Sequence, residues 1–205
     1  MRDETYIMSP KYNTFVWLPP KTGSSTLSWI LAYFDFGWYK FNEKNNNYEI
    51  FRNDLVHLGH SFKIPPFGNM DLISATRNPY DRMVSYFRMT RLVTEKKSNR
   101  NEFELFLQNF FEKEQNSVMF KSAEIYNFKV PNYIIKLENL YQDLIEIPFI
   151  KNSKLNDCGI LEEMCNKKIK NSFIDGYKDE LYTLETKEKV YNHFKKDFEL
   201  FGYER

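Results

Sequence analysis

Residues 14–26 read TFVWLPPKTGSST, and the order of residue types in this stretch decides the fold class. The apolar run at 14–18, ended by Pro19 and Pro20, predicts a buried strand passing into a loop. Residues 26–36 (TLSWILAYFDF) then read as a largely apolar helix. Between strand and helix lie Lys21, Thr22, Gly23, Ser24, Ser25 and Thr26, where several backbone N–H groups and a helix N-terminus can face one anion. Lys21 adds a full charge, the four hydroxyls add donors, and Gly23 lets the backbone approach closely. An ordinary Ser/Thr-rich helix start has the same composition, so the loop alone leaves both readings open.

Further along the chain, residues 71–76 (DLISAT) predict a second strand. Asn78 follows as an N-cap and Pro79 suits a first helical turn, so a helix is expected from there towards Arg91. Residues 132–137 (NYIIKL) give a third strand and 138–144 a short helix. Phe103, Phe106, Leu107, Phe110 and Phe111 recur at helical spacing, as do Val190, Tyr191, Phe194, Phe198 and Phe201, with Gly202 placed to end the latter helix. Such stripes belong to a core. Strands alternating with helices predict an α/β fold, a central parallel sheet flanked by helices in three layers, with ligands beyond the carboxyl ends of the strands. No Pro-, Gly- or Ser-rich linker divides the 205 residues, so residues 1–205 are read as one domain, with a loop at 45–47.

A formal net charge of +1 gives no general attraction to nucleic acid or an anionic membrane, so any anion site must be built locally. No apolar run reaches the length of a membrane span, and residues 1–9 lack the apolar stretch of a secretion signal. The chain as given is expected to be cytoplasmic, with a trimmed secretory-pathway domain as the alternative. There is no Asn-x-Ser/Thr sequon. Cys158 and Cys165 read as buried reduced thiols, and two thiols without clustered His partners make a poor zinc site.

Arg77 closes the second strand, and Ser85 lies about two turns into the helix that follows. A guanidinium and a hydroxyl brought together there can share one phosphate. A nucleotide phosphotransferase loop of the type GxxxxGK[ST] carries its Lys after the last Gly, whereas Lys21 precedes Gly23. This order speaks against an ATP or GTP kinase, which stays the runner-up among enzymes.

Taken together, PKTGSST (residues 20–26) and RNPYDRMVSYF (residues 77–87) resemble two motifs of the sulfotransferases that use 3′-phosphoadenosine 5′-phosphosulfate (PAPS), above all the carbohydrate-modifying branch with its R-[DN]-P-x-x-R-x-x-S-x-[YF] pattern. YIIKLENL (133–140) and KDFELFGY (196–203) are similar to later segments of that family, whereas residues 92–130 carry little of the resemblance. It implies a P-loop-like fold. Lys21, Thr22, Gly23, Ser24, Ser25 and Thr26 would bind the 5′-phosphosulfate, and Arg77 with Ser85 the 3′-phosphate. Lys167, Lys168 and Lys170 are candidates for a later basic contact, and Arg82 for a structural pair with a carboxylate. The implied reaction is transfer of a sulfuryl group from PAPS to a hydroxyl of a saccharide or similar small molecule, leaving adenosine 3′,5′-bisphosphate, with no metal required.

Of the three histidines, His193 lies among Lys189, Lys195 and Lys196 and is predicted to be solvent-exposed. His57 and His60 fall in LVHLGHSF, which resembles the base-bearing segment of uronyl 2-O-sulfotransferases. On that likeness His60 is the favoured general base, His57 the reserve, and Lys21 the group that meets charge on the leaving phosphate. Glu43, Glu49 and Glu138 are alternative bases, and a catalytically silent protein that binds the bisphosphate is the alternative from outside enzymology.

Overall fold

The computed structural model describes residues 5–42, 47–52, 69–92, 99–114, 121–170 and 180–205. Its strands are β1 (Thr5–Ser9), β2 (Thr14–Trp17), β3 (Gly37–Asn42), β4 (Asn47–Arg52), β5 (Asp71–Thr76) and β6 (Tyr133–Lys136). They form one sheet in the order β4-β3-β1-β2-β5-β6. The protein is α/β, as the alternation of elements predicts. The sheet itself is mixed, which corrects the parallel-sheet expectation: β2, β5 and β6 run parallel, while β1 pairs antiparallel with both β2 and β3, and β3 antiparallel with β4.

Helices α1 (Ser24–Ala32), α2 (Pro79–Leu92), α3 (Arg100–Glu114), α4 (Leu140–Leu144), α5 (Pro148–Lys151), α6 (Lys154–Asp157), α7 (Ile160–Lys170), α8 (Leu184–His193) and α9 (Lys195–Phe201) accompany the sheet, with a 3₁₀ helix at Ser122–Asn127. Alternate strand residues serve opposite faces. Ile7, Val16, Ile73, Ala75 and Ile135 pack with Leu27, Ile30 and Leu31 of α1 and with Leu140, Leu144, Leu161 and Cys165 from α4 and α7. Met8, Phe15, Trp17 and Leu72 pack instead with Ile125 of the 3₁₀ helix. A third cluster joins Met83 and Phe87 of α2, Phe103 and Leu107 of α3, Val190 of α8 and Phe198 of α9.

Several local expectations change. The C-terminal stripe is broken at Phe194 into α8 and α9, and Gly202, with φ 65°, ends α9. Asn47 starts β4 instead of lying in a loop. Cys165 is buried, and burial pushes its thiol up to about 12, whereas Cys158 is exposed; both are free. His193 is half-buried against the rings of Phe110, Phe111 and Phe194. Its imidazole is lowered to about 4, first by desolvation and then by the Lys121 charge. No helix among the described residues is long and apolar enough to cross a membrane.

Candidate functional site

The three parallel strands end at the same edge of the sheet, because their register pairs Trp17 with Ser74 and Thr76 with Lys136. Three connections therefore emerge side by side: residues 18–23 after β2, residues 77–78 after β5, and residues 137–139 after β6. Two of them carry the motifs singled out in the sequence.

The first connection is held by its carbonyls. Thr22 donates to the Pro19 carbonyl through its hydroxyl, at 2.7 Å, and through its N–H, at 3.4 Å. Arg82 Nε donates to the Pro20 carbonyl at 2.9 Å, and Arg77 Nη1 to the Lys21 carbonyl at 3.4 Å. Three consecutive carbonyls are thus captured by the protein. Under this constraint Lys21 adopts φ 65°, a left-handed conformation that costs a non-glycine residue roughly 1 kcal/mol or more. Gly23, at φ 84°, occupies the N-cap position of α1. The left-handed conformation favours glycine, and a Cβ there would lie 2.5 Å from Leu137 Cδ1 and have to displace the end of that side chain.

Beyond Gly23 the donors are uncommitted. Among the described residues no hydrogen bond engages the backbone N–H groups of Gly23, Ser24, Ser25 and Thr26, or the hydroxyls of the last three. These N–H groups lie at the start of a nine-residue helix, where orphan donors and the helix dipole favour an anion. Ser25 is exposed, and Ser24 and Thr26 are half-buried. Thr22 is fully buried, and its hydroxyl serves the loop frame rather than the surface.

The second connection is organised by capping. Asn78 Oδ1 accepts from the Tyr80 N–H at 2.9 Å, and Pro79 opens α2 as expected of that residue at a first helical position. The Asn78 N–H donates to Glu138 Oε1 at 2.7 Å, while the Tyr203 hydroxyl donates to Glu138 Oε2 at 3.3 Å. Both Glu138 oxygens therefore have donors, which makes it a bracket between the connections. Burial, and secondarily the Glu138 charge, raise the Tyr203 hydroxyl far above its usual range.

Arg77 is 4% exposed, and its hydrogen bond to Lys21 spans 56 positions of sequence. Desolvation lowers its pKa, the charges of Asp81, Glu138 and Tyr203 act the other way, and Arg88 lowers it again. The Lys21 amine is likewise lowered, by desolvation first and by the Arg77 charge second. Lys21 Nζ reaches α2, 3.6 Å from Met89 Sδ. Met89 lies one turn beyond Ser85, so the Ser85 hydroxyl shares the helix face towards which the lysine extends. Ser85 is half-buried, and its hydroxyl has no hydrogen bond among the described residues. Arg88, three positions after Ser85, is a third cation of this cluster; its signal was its place in RNPYDRMVSYFR.

Burial disfavours the charged forms of Lys21 and Arg77, and the Arg77 charge adds to this at Lys21, while Asp81 and Glu138 offset it at Arg77. The structure thus brings residues 21–26 and Arg77 together at the sheet edge, with Ser85 and Arg88 on the adjoining helix α2. His57 and His60, with the segment containing them, and Glu43 lie outside the described residues, as do the side chains of Lys167, Lys168 and Lys170. Glu49 lies on β4, three strand spacings from β2, or roughly 14 Å, which sets it apart from the loop. Among the described residues no three His, Cys, Asp or Glu side chains converge as a metal site would require. Comparison with known protein families, with curated proteins and with solved structures gives no match.

Proposed function

We propose that this protein is a PAPS-dependent sulfotransferase of P-loop-like fold, acting on a hydroxyl of a saccharide or similar small molecule. The observation that carries the reading is the meeting of two motifs distant in sequence: the Arg77 guanidinium holds the Lys21 carbonyl, and its charge adds to burial in lowering the Lys21 amine, beside four helix N–H groups with no hydrogen bond among the described residues. Paired anion sites suit a nucleotide phosphorylated at both 3′ and 5′ positions. A single phosphate would leave one of them idle.

In this reading the N–H groups of Gly23, Ser24, Ser25 and Thr26 orient the 5′-phosphosulfate, and Arg77, Ser85 and Arg88 receive the 3′-phosphate. The acceptor oxygen forms a bond to sulfur as the bond from sulfur to the bridging oxygen breaks, so negative charge grows on the departing phosphate. Lys21 and the helix start meet that charge, an interaction worth more in the transition state than before it. The acceptor proton passes to a general base, assigned to His60 on sequence resemblance.

Incubation with sulfur-labelled PAPS and a panel of saccharide and small-molecule hydroxyl acceptors, with and without magnesium chelation, tests the reading. Label transferred to an acceptor without magnesium supports it. Transfer of phosphate from a nucleoside triphosphate, dependent on magnesium, would replace it with a kinase. Tight bisphosphate binding without transfer to any acceptor would leave a silent binding protein.

A further inference from the structure

Arg82 is fully buried, and its guanidinium joins four segments of the chain. Nε donates to the Pro20 carbonyl at 2.9 Å, while Nη1 lies 3.3 Å from Ser122 Oγ and 3.4 Å from Asp197 Oδ2. Asp197, 1% exposed, also accepts from the Ser122 N–H at 2.9 Å and the Ala123 N–H at 2.7 Å. The ring of Phe194 stands 5.9 Å from the Arg82 guanidinium carbon. Burial lowers Arg82 to about 10, which leaves it charged at neutral pH; Asp197, raised by its own burial, is favoured as a carboxylate by Arg82 and the two N–H donors.

A buried ion pair of this kind seldom adds net stability over an apolar replacement. What this pair does contribute is geometric. The planar fork sends one donor to the phosphate loop and another towards Asp197, a division that the point charge of a lysine cannot reproduce. The carbonyl it holds belongs to the residue directly before Lys21, whose left-handed φ of 65° needs outside constraint. We propose that Arg82, clamped by Asp197, positions the phosphate loop, so that anion binding at residues 21–26 depends on a carboxylate of the C-terminal helix α9. The inference rests on the reading of those residues as an anion site. It makes Arg82 and Asp197 positioning residues that touch no ligand.

Arg82→Lys keeps the charge opposite Asp197 but loses the fork, and Asp197→Asn loses the charge and keeps only one oxygen, enough for the Ala123 N–H, while its amide NH2 faces the Ser122 N–H and Arg82. Both are compared with the unaltered chain by thermal melting, by backbone amide NMR without ligand, and by titration with adenosine 3′,5′-bisphosphate. Each variant is expected to melt cooperatively, to move the amide resonances of Gly23 and Ser24 while those of β5 stay in place, and to bind the bisphosphate about 10- to 100-fold more weakly. Lowered melting points with unmoved Gly23 and Ser24 amides and unchanged affinity would reduce the pair to a structural role and overturn the inference. Should Arg82→Lys fail to fold, Asp197→Asn decides on the same readouts. If the unaltered chain binds no bisphosphate, the sulfotransferase reading falls, while the ligand-free amide shifts still judge whether Arg82 sets the loop.

Discussion

Arg77 and Arg82 are five positions apart, both buried, and both donate to carbonyls of the same loop, yet their surroundings oppose each other. Arg82 is enclosed completely and balanced by Asp197 at 3.4 Å, inside the protein. Arg77 sits at the sheet edge, where Lys21 and Arg88 add positive charge next to it. Arg82 has its carboxylate partner sealed in with it, whereas Arg77 lies among charges of both signs, with Asp81 and Glu138 as well as Lys21 and Arg88 nearby. The difference follows from the helix between them: Arg77 precedes α2 and stays at the strand end, whereas Arg82, in its first turns, is turned under the loop.

The contrast is broken most forcefully at Lys21. If the excess cation serves the reaction, Lys21→Ala lowers turnover about 10²- to 10³-fold while weakening bisphosphate binding far less, as steady-state kinetics and calorimetry will measure. Equal losses in both would make Lys21 a binding residue only.

Next in size is Gly23. Gly23→Ala must accept φ 84° and displace Leu137, a cost of roughly 1–3 kcal/mol in denaturant unfolding, together with weakened bisphosphate binding. Adding Leu137→Ala restores space but not conformation, so recovery of binding should be partial. Full recovery would show that crowding alone matters there.

A smaller effect lies in the helical layer away from the loop. His193 takes up its proton near 6.5 when unfolded but only at about 4 when folded, so the unfolded state binds more protons between these values. Its contribution is intact above pH 6.5 and is lost as pH falls towards 4. Allowing for its partial exposure, the loss is on the order of 1–2 kcal/mol. His193→Phe should flatten that part of the urea-midpoint profile, and an unchanged profile would refute the assignment. Smallest of all, the exposed Lys11–Asp35 pair at 2.6 Å should leave the melting point where it is when Lys11 becomes Ala.

Legibility in the sequence tracked these environments. β2 and β5 were readable because strands covered on both faces carry continuous apolar runs, and the bounds 71–76 match β5 residue for residue, while β6 at the sheet edge showed through its Tyr-Ile-Ile run. β1, β3 and β4 were missed: GWYKFN and NYEIFR interleave Lys40, Glu49 and Arg52 with apolar residues over six positions, too short for the alternation to stand out. Arg82 was expected to meet a carboxylate, but Asp197 lies 115 positions away, a separation no local pattern reports. His193 was read as exposed from its lysine neighbours. The break at Phe194 instead leaves its ring among those of α3, since chain direction after a helix end is set by tertiary packing. The loop at residues 19–26 was legible as a composition; that its carbonyls are captured and its N–H groups have no partner among the described residues is a property of the fold.

If two anion sites meet at the sheet edge, the protein distinguishes adenosine 3′,5′-bisphosphate from AMP, and the melting temperature measured with each ligand decides between them. At a hundredfold excess over its Kd the bisphosphate should stabilise the protein by about 2.7 kcal/mol. AMP at the same concentration should shift the melting point much less, and Arg77→Ala should erase most of the difference. An AMP shift as large as that of the bisphosphate, unchanged by Arg77→Ala, would contradict the account.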